Sequence, residues 1–146
     1  MRIIWQTRWT NRTTEVRAAA QGADDELRRR GADERARYAV QLVIDELMSN
    51  SIKYAFEDDG EHHIELRLSL GPDAVRVTLE DGGAPFEPGG CPGGESPGCR
   101  PLPTVGGMGI AMVRQVCASL RYRREAGRNV VEADVPLAPP CPRTPS

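Results

Sequence analysis

Between His63 and Leu70 apolar and polar residues alternate without a break, with Ile64, Leu66, Leu68 and Leu70 on one side. A period of two belongs to a strand with one buried face. Ala74 to Glu80 repeats it through Val75, Val77 and Leu79, and Gly71-Pro72-Asp73 between them is a turn signal. The two segments predict an antiparallel hairpin. Residues 2–9 also alternate, with Ile4 and large Trp side chains among them, and read as a first strand at a sheet edge.

Elsewhere the period lengthens to that of a helix. Val16, Ala19, Ala20, Ala23 and Leu27 form an apolar stripe on a helix that Asn11 or Thr13 would cap and Gly31 would end. Asp33 is placed to cap a second helix running to about Phe56, with a wide apolar face of Ala36, Ala39, Val40, Val43, Ile44 and Leu47. Asp58-Asp59-Gly60 then turns the chain. Helical spacing returns from Met108 to about Leu120 through Ile110, Met112, Val113, Val116 and Cys117. Two last strands are expected near 121–125 and 129–135, joined at Ala126-Gly127-Arg128.

Residues 88–107 hold five prolines and seven glycines, too many for regular structure, and are expected to be a mobile lid. The segment 138–146, with four prolines, reads as a disordered tail. Residues 1–137 are expected to form one domain. Strands and helices are partly segregated, which predicts an α+β, two-layer sandwich: helices packed on one face of a mixed, mostly antiparallel sheet.

Charge narrows the partners. The formal net charge of −2 and the pI near 5.7 argue against direct nucleic-acid binding, which needs a concentrated basic surface. The small clusters Arg28-Arg29-Arg30 and 121–124 read as solvated surfaces. No stretch reaches the length needed to span a bilayer, and the start is too polar for a secretory signal, so a cytoplasmic protein with no membrane contact is expected. Cys91, Cys99, Cys117 and Cys141 are then reduced, and they lack the spacing of a zinc site. Cys117, on an apolar helix face, reads as a small core residue.

Candidate chemistry gathers in three places. Glu46 and Asn50 lie four apart on the second helix, so they project from one face a turn apart, and Lys53 and Tyr54 extend that face. An amide oxygen at Asn50 suits Mg²⁺, a carboxylate at Glu46 can accept a hydroxyl proton, and Lys53 offers positive charge to phosphate. Alone, the pair would pass for a polar helix edge, but both residues sit beside Val43 and Leu47, where a pocket lip would lie. Asp81 ends a strand and is followed by Gly82-Gly83-Ala84-Pro85-Phe86. Its carboxylate can accept from an exocyclic amine such as that of adenine, with the glycines leaving room for a base ring. Gly106-Gly107-Met108-Gly109 opens a helix, and unhindered N–H groups there suit phosphates. The Lys-Ser/Thr of a Walker loop is missing, and no strand leads in as a Rossmann turn requires.

Taken in order, these motifs resemble those of the GHKL (Bergerat-fold) ATPase superfamily over roughly residues 12–136. The N-box corresponds to Glu46-x-x-x-Asn50-x-x-Lys53-Tyr54, the first glycine box to Asp81-x-Gly83-x-Pro85-Phe86, and the second to Gly107-x-Gly109. Length and wording look most like the anti-sigma factor serine/threonine protein kinases. The resemblance implies ATP and Mg²⁺ as ligands, Asn50 as the metal ligand and Glu46 as general base. It places Asp81 on the adenine amine, Gly83 and Phe86 at the base, Lys53, Gly107, Met108 and Gly109 toward the phosphates, and Arg17 toward a protein partner. It implies a sigma factor as the sequestered partner and an anti-sigma antagonist as the phosphorylated one. Related regulators are often dimers, which puts a homodimer among the expectations. Histidine kinases usually have Asn where this chain has Glu46. The Gly, Pro and Cys content of 88–107 departs from the family, and His62-His63 has no assigned counterpart. The competing expectation is a nucleotide-dependent binding module that grips a partner without transferring phosphate.

Overall fold

The computed structural model describes residues 1–56, 58, 60–85 and 107–138. Among them are five strands, β1 (Arg2–Thr10), β2 (His63–Leu70), β3 (Ala74–Asp81), β4 (Ser119–Glu125) and β5 (Arg128–Pro136). Three helices accompany them: α1 (Thr14–Arg29), α2 (Glu34–Tyr54) and α3 (Gly107–Val116). The strands form one sheet in the order β1-β2-β3-β5-β4. All four ladders are antiparallel, the limiting case of the mostly antiparallel sheet the pattern predicts. β1 and β4 are its edges, as expected for the first strand.

Register lines up the inward residues in rows. Leu68, Val77 and Ala133 form one row and Leu66, Leu79 and Val131 the next. All six are buried, and they meet Val40, Val43, Ile44, Leu47 and Met48 of α2 in the core. Each fully buried Leu, Ile or Val contributes about 1.5–3 kcal/mol, so the α2–sheet contact contributes substantially to stability. The row after Leu66 changes character. Ile64 stands beside Asp81, Asp81 beside Asn129 and Asn129 beside Arg124, so a polar row runs through the interior at one end of the sheet. On β1, Trp5 lies over Gly22 of α1, closing the sandwich at that edge.

The outward face is charged and laced with ion pairs. Glu65 and Glu80 sit directly opposite each other, which alone would be unfavourable. Arg67 meets Glu80 at 3.2 Å, and Arg128 lies 4.0 Å from Glu65 and 3.9 Å from Glu80. Arg76 grips its cross-strand neighbour Asp134 through two hydrogen bonds of 2.8 and 3.2 Å. That pairing, with Arg121 beside it, holds the Asp134 carboxyl down to about 2. The arginines at 121 and 123 are thus ion-paired to strand carboxylates.

Caps and ends mostly follow the local chemistry. Asp33 accepts from the Ala36 N–H at 3.0 Å, the expected N-cap of α2. Its other oxygen accepts from the Ala138 N–H at 3.0 Å, so the first residue assigned to the tail is anchored. Gly31 follows α1 at φ 77°, a left-handed conformation that glycine adopts without strain. Ala126 and Gly127 both have positive φ, 50° and 75°, as a tight two-residue hairpin turn requires.

Two expectations change. Thr13 occupies the N-cap of α1 but makes no side-chain cap bond. Asn11 instead ties β1 to the entry of β2, accepting from the His62 N–H at 2.9 Å and donating to the Gly60 carbonyl at 3.2 Å. The last helix stops at Val116, not near Leu120, because Ala118 N–H is drawn to the Asp134 carbonyl at 2.8 Å and pairing with β5 begins at Ser119. The expected lid at 88–107 lies outside the described residues except for Gly107, and the expected tail does so beyond Ala138. No helix among the described residues is long and apolar enough to cross a membrane.

Candidate nucleotide site

The site is assembled from the C-terminal half of α2, the end of β3 with the turn after it, and the start of α3. The 3.6-residue period that buries Val43 and Leu47 carries Glu46 to the margin of the core, half-buried, and Asn50 one turn on, only 4% exposed. The Asn50 Nδ2 is buried and has no hydrogen-bond partner among the described residues. A buried amide nitrogen without a partner costs about 1–3 kcal/mol, so such groups call for an explanation.

The start of α3 lies directly against Glu46. A methyl group built at Gly109 would overlap the Glu46 carboxylate, so the glycine is what lets that carboxylate sit where it does. Gly107 is the first residue of α3 and Met108 the second. The expected N-box carboxylate and the second glycine box are therefore neighbours. Burial pushes the Glu46 carboxyl upward from its ordinary value; Asp45 adds to that and Lys53 opposes it. Lys53 itself is exposed, on the same end of α2.

The turn after β3 is built differently. Asp81 is 2% exposed, yet hydrogen bonds reach both of its oxygens. Ser51 donates its hydroxyl to Oδ2 at 2.8 Å. The Gly83 N–H and the Asn129 Nδ2 donate to Oδ1 at 2.9 and 2.8 Å. Gly83 packs on the end of α2: a methyl there would overlap the Ala55 carbonyl, with the Ala55 Cβ at 2.8 Å. The Ala84 N–H donates to that same carbonyl at 2.8 Å, pinning the turn to the helix. Since Ser51 follows Asn50 in sequence and bonds Asp81, the first two motifs are also joined.

Of the other expected residues, Arg17 lies on the exposed face of α1, away from any ion pair among the described residues. Phe86 and the rest of 87–106 fall outside the described residues. His62 stacks on Phe56 with ring centres 4.3 Å apart and bonds Asp58 at 2.7 Å, so it ties down the segment between α2 and β2.

Ser51, Asn129, Tyr122 and Arg124 join the site beyond the expected residues, the last two by donating to Asn129 Oδ1. Asn129 had a visible signal. It takes the inward position in an alternation completed by Val131, Ala133 and Val135, where a lone amide is out of pattern. Ser51, adjacent to Asn50, carried no signal apart from its neighbour.

Comparison with known proteins agrees with this architecture. The family described as histidine kinase-like ATPase domain matches residues 9–134. Blue-light-activated histidine kinase 2 of Erythrobacter litoralis (strain HTCC2594) is 29% identical over 104 residues, covering 68% of this chain and 27% of that protein. The chain thus spans about a quarter of the length of the curated relative it matches. A crystal structure of the RsbU and RsbW domains of Rv1364c from Mycobacterium tuberculosis superposes with a TM-score of 0.62 at 17% identity, over 93% of this chain and 33% of that one. The histidine kinase domain of the Erythrobacter litoralis EL346 blue-light activated histidine kinase gives 0.50 at 24% identity, over 70% and 45%. At these identities the structural likeness is one of fold. The family match covers most of the chain, and with the five-stranded antiparallel sheet under its helices it leads to one assignment: the chain belongs to the histidine kinase-like ATPase domain family of the GHKL superfamily.

Proposed function

We propose that this domain binds ATP with Mg²⁺ and passes the γ-phosphoryl group to a Ser or Thr of a protein antagonist, while holding a regulator such as a sigma factor when not so engaged. The observation that carries the reading is the meeting of Glu46 with Gly109, one turn from a buried Asn50 amide that lacks a partner. A carboxylate, an unused amide and a glycine-opened helix start are what a polyphosphate and its counter-ion need.

The fit of Mg²⁺ rests on Asn50. The two ends of an amide are assigned by their neighbours, and Asn50 has an unpartnered end to give to a ligand, either its oxygen to a metal or its N–H to phosphate. When bound, the ion would neutralise charge on the phosphate oxygens. The chain's own residues would do the rest. Asp81 would accept from the adenine amine, with Gly83 beside the ring. Gly107, Met108 and Gly109 would present N–H groups to the phosphates, and Lys53 would add positive charge. Phe86 belongs to the same base site in this reading.

Glu46 would act as general base. The acceptor O–H bond breaks and its proton passes to the Glu46 carboxylate. The hydroxyl oxygen forms a bond to the γ-phosphorus as the bond to the β,γ-bridging oxygen breaks, and ADP leaves with that electron pair. The upward displacement of the Glu46 carboxyl makes it a stronger base once ionised, which suits the role. Arg17 would face the partner, the domain would work in the cytoplasm, and two copies would pair as a homodimer. Residues 1–137 would form the single domain that carries this activity.

The test is phosphotransfer from ATP to a candidate antagonist, compared with Glu46→Ala. Loss of about 10²–10⁴-fold in transfer with ADP affinity retained supports the kinase. Nucleotide binding without transfer in the wild type would leave the binding-module reading in its place.

A further inference from the structure

The polar row that starts at Asp81 continues to the edge of the sheet, and the phosphotransfer described above makes no use of its outer members. Asn129 is 1% exposed. Its Oδ1 accepts from the Tyr122 hydroxyl at 2.7 Å and from the Arg124 guanidinium at 3.0 Å. Its Nδ2 donates to Asp81 Oδ1 and to the Ala84 carbonyl, both at 2.8 Å. The same Arg124 nitrogen donates to the Gly83 carbonyl at 2.7 Å. We propose that Tyr122 and Arg124 of β4, acting through Asn129, are positioning residues that decide which purine the site accepts: one bearing an exocyclic amine rather than a keto oxygen. This rests on the reading of Asp81 as the base-binding carboxylate.

The physical basis is the near-symmetry of an amide. Its oxygen and nitrogen ends have almost the same shape, and which faces a given neighbour is set by hydrogen bonding. Two donors from β4 point at one end of Asn129, so that end is the oxygen. The nitrogen end must then face Asp81 and the Ala84 carbonyl, which are both acceptors. Without the β4 donors the amide that donates to Asp81 Oδ1 loses the two hydrogen bonds that anchor its oxygen end. Asn129 is then less firmly seated, and the Asp81 carboxylate it braces shifts from its place. Held as it is, Asp81 takes two donors on Oδ1 and one from Ser51 on Oδ2 among the described residues. The acceptor position left on Oδ2 suits an N–H donor. A keto oxygen presented there meets lone pairs with lone pairs, a mismatch that sites built on hydrogen bonds reject strongly. Arg124 adds a second restraint by fixing the backbone of the turn that carries Gly83.

Calorimetric titration of ADP and GDP into the wild type, Tyr122→Phe, Arg124→Lys and the double variant Tyr122→Phe/Arg124→Met tests this, with thermal melts recorded in parallel. The expected result is a wild-type preference for ADP that falls about tenfold in the double variant. Arg124→Lys, which keeps a cationic donor, should retain most of the preference. Should the double variant melt far below the wild type, Tyr122→Phe alone decides, with a fall of about threefold expected. An unchanged ADP-to-GDP ratio in the folded variants overturns the inference and leaves Asp81 as base ligand intact. If the wild type binds neither nucleotide, the parent reading of Asp81 fails first.

Discussion

The two ends of the candidate site are built on opposite principles. At the base end, Asp81, Ser51, Asn129, Gly83 and Arg124 bond to one another, and the protein consumes nearly all of its own polar capacity. At the phosphate end, Asn50 Nδ2 is left without a partner and Glu46 keeps a half-buried carboxylate pressed against Gly109. A saturated network is rigid and stable before any ligand arrives. An unsaturated one stores an unmet demand that a ligand relieves. The contrast teaches that the base end should respond to mutation mainly as structure and the phosphate end mainly as function.

The two glycines sharpen that contrast most. A methyl at Gly83 meets backbone, the Ala55 carbonyl, which cannot step aside. Gly83→Ala is expected to destabilise the domain by about 3 kcal/mol, read by denaturant unfolding. A methyl at Gly109 meets the tip of a flexible side chain. Gly109→Ala should leave stability within about 1 kcal/mol. It should slow phosphotransfer by about a hundredfold, because it displaces the base by an ångström or more. Equal effects of the two variants on stability would erase the distinction.

Neighbouring residues of α2 give a finer version. Ser51→Ala removes a donor from the buried Asp81 and should cost about 1–2 kcal/mol of folding stability. Asn50→Ala removes a group that is already unpartnered, so stability should hold or rise slightly while ATP affinity is lost. Titration and melting of the two variants side by side would show the crossing pattern or its absence. The smallest effect expected is on pH dependence. Glu46 must be ionised to accept a proton, and burial raises its carboxyl. Transfer should therefore fall as pH drops through a midpoint above the ordinary glutamate value of 4.5. Since the folded form holds that proton more tightly than the unfolded chain, Glu46 alone favours the fold on the acid side and loses that contribution as pH rises through the raised value.

The strands were legible because alternation is a direct print of a half-buried sheet. His63–Leu70 and Ala74–Asp81 carry it in nearly every residue. The end of α3 was not, because the apolar spacing of Val116, Cys117 and Leu120 serves a helix and an incoming strand equally well, and only pairing with Asp134 decides between them. The N-box pair was visible as helix spacing. That Glu46 touches Gly109 was not, since two segments sixty-odd residues apart meet only through packing of α3 on α2. Asn129 itself stands out of pattern, but its network was hidden: its members lie on β3, β4 and β5 and become neighbours only once the strand order places β5 between β3 and β4.

Asp33 both begins α2 and holds the Ala138 N–H, and this fixes where the described chain leaves the domain. Glu46, Asn50 and Lys53 lie toward the other end of the same 21-residue helix. At about 1.5 Å per residue, the exit point stands some 20–30 Å from them. A fluorophore, affinity handle or second protein joined downstream would therefore start its path at the pole remote from Glu46, Asn50 and Lys53, which makes that junction the natural place to attach a reporter.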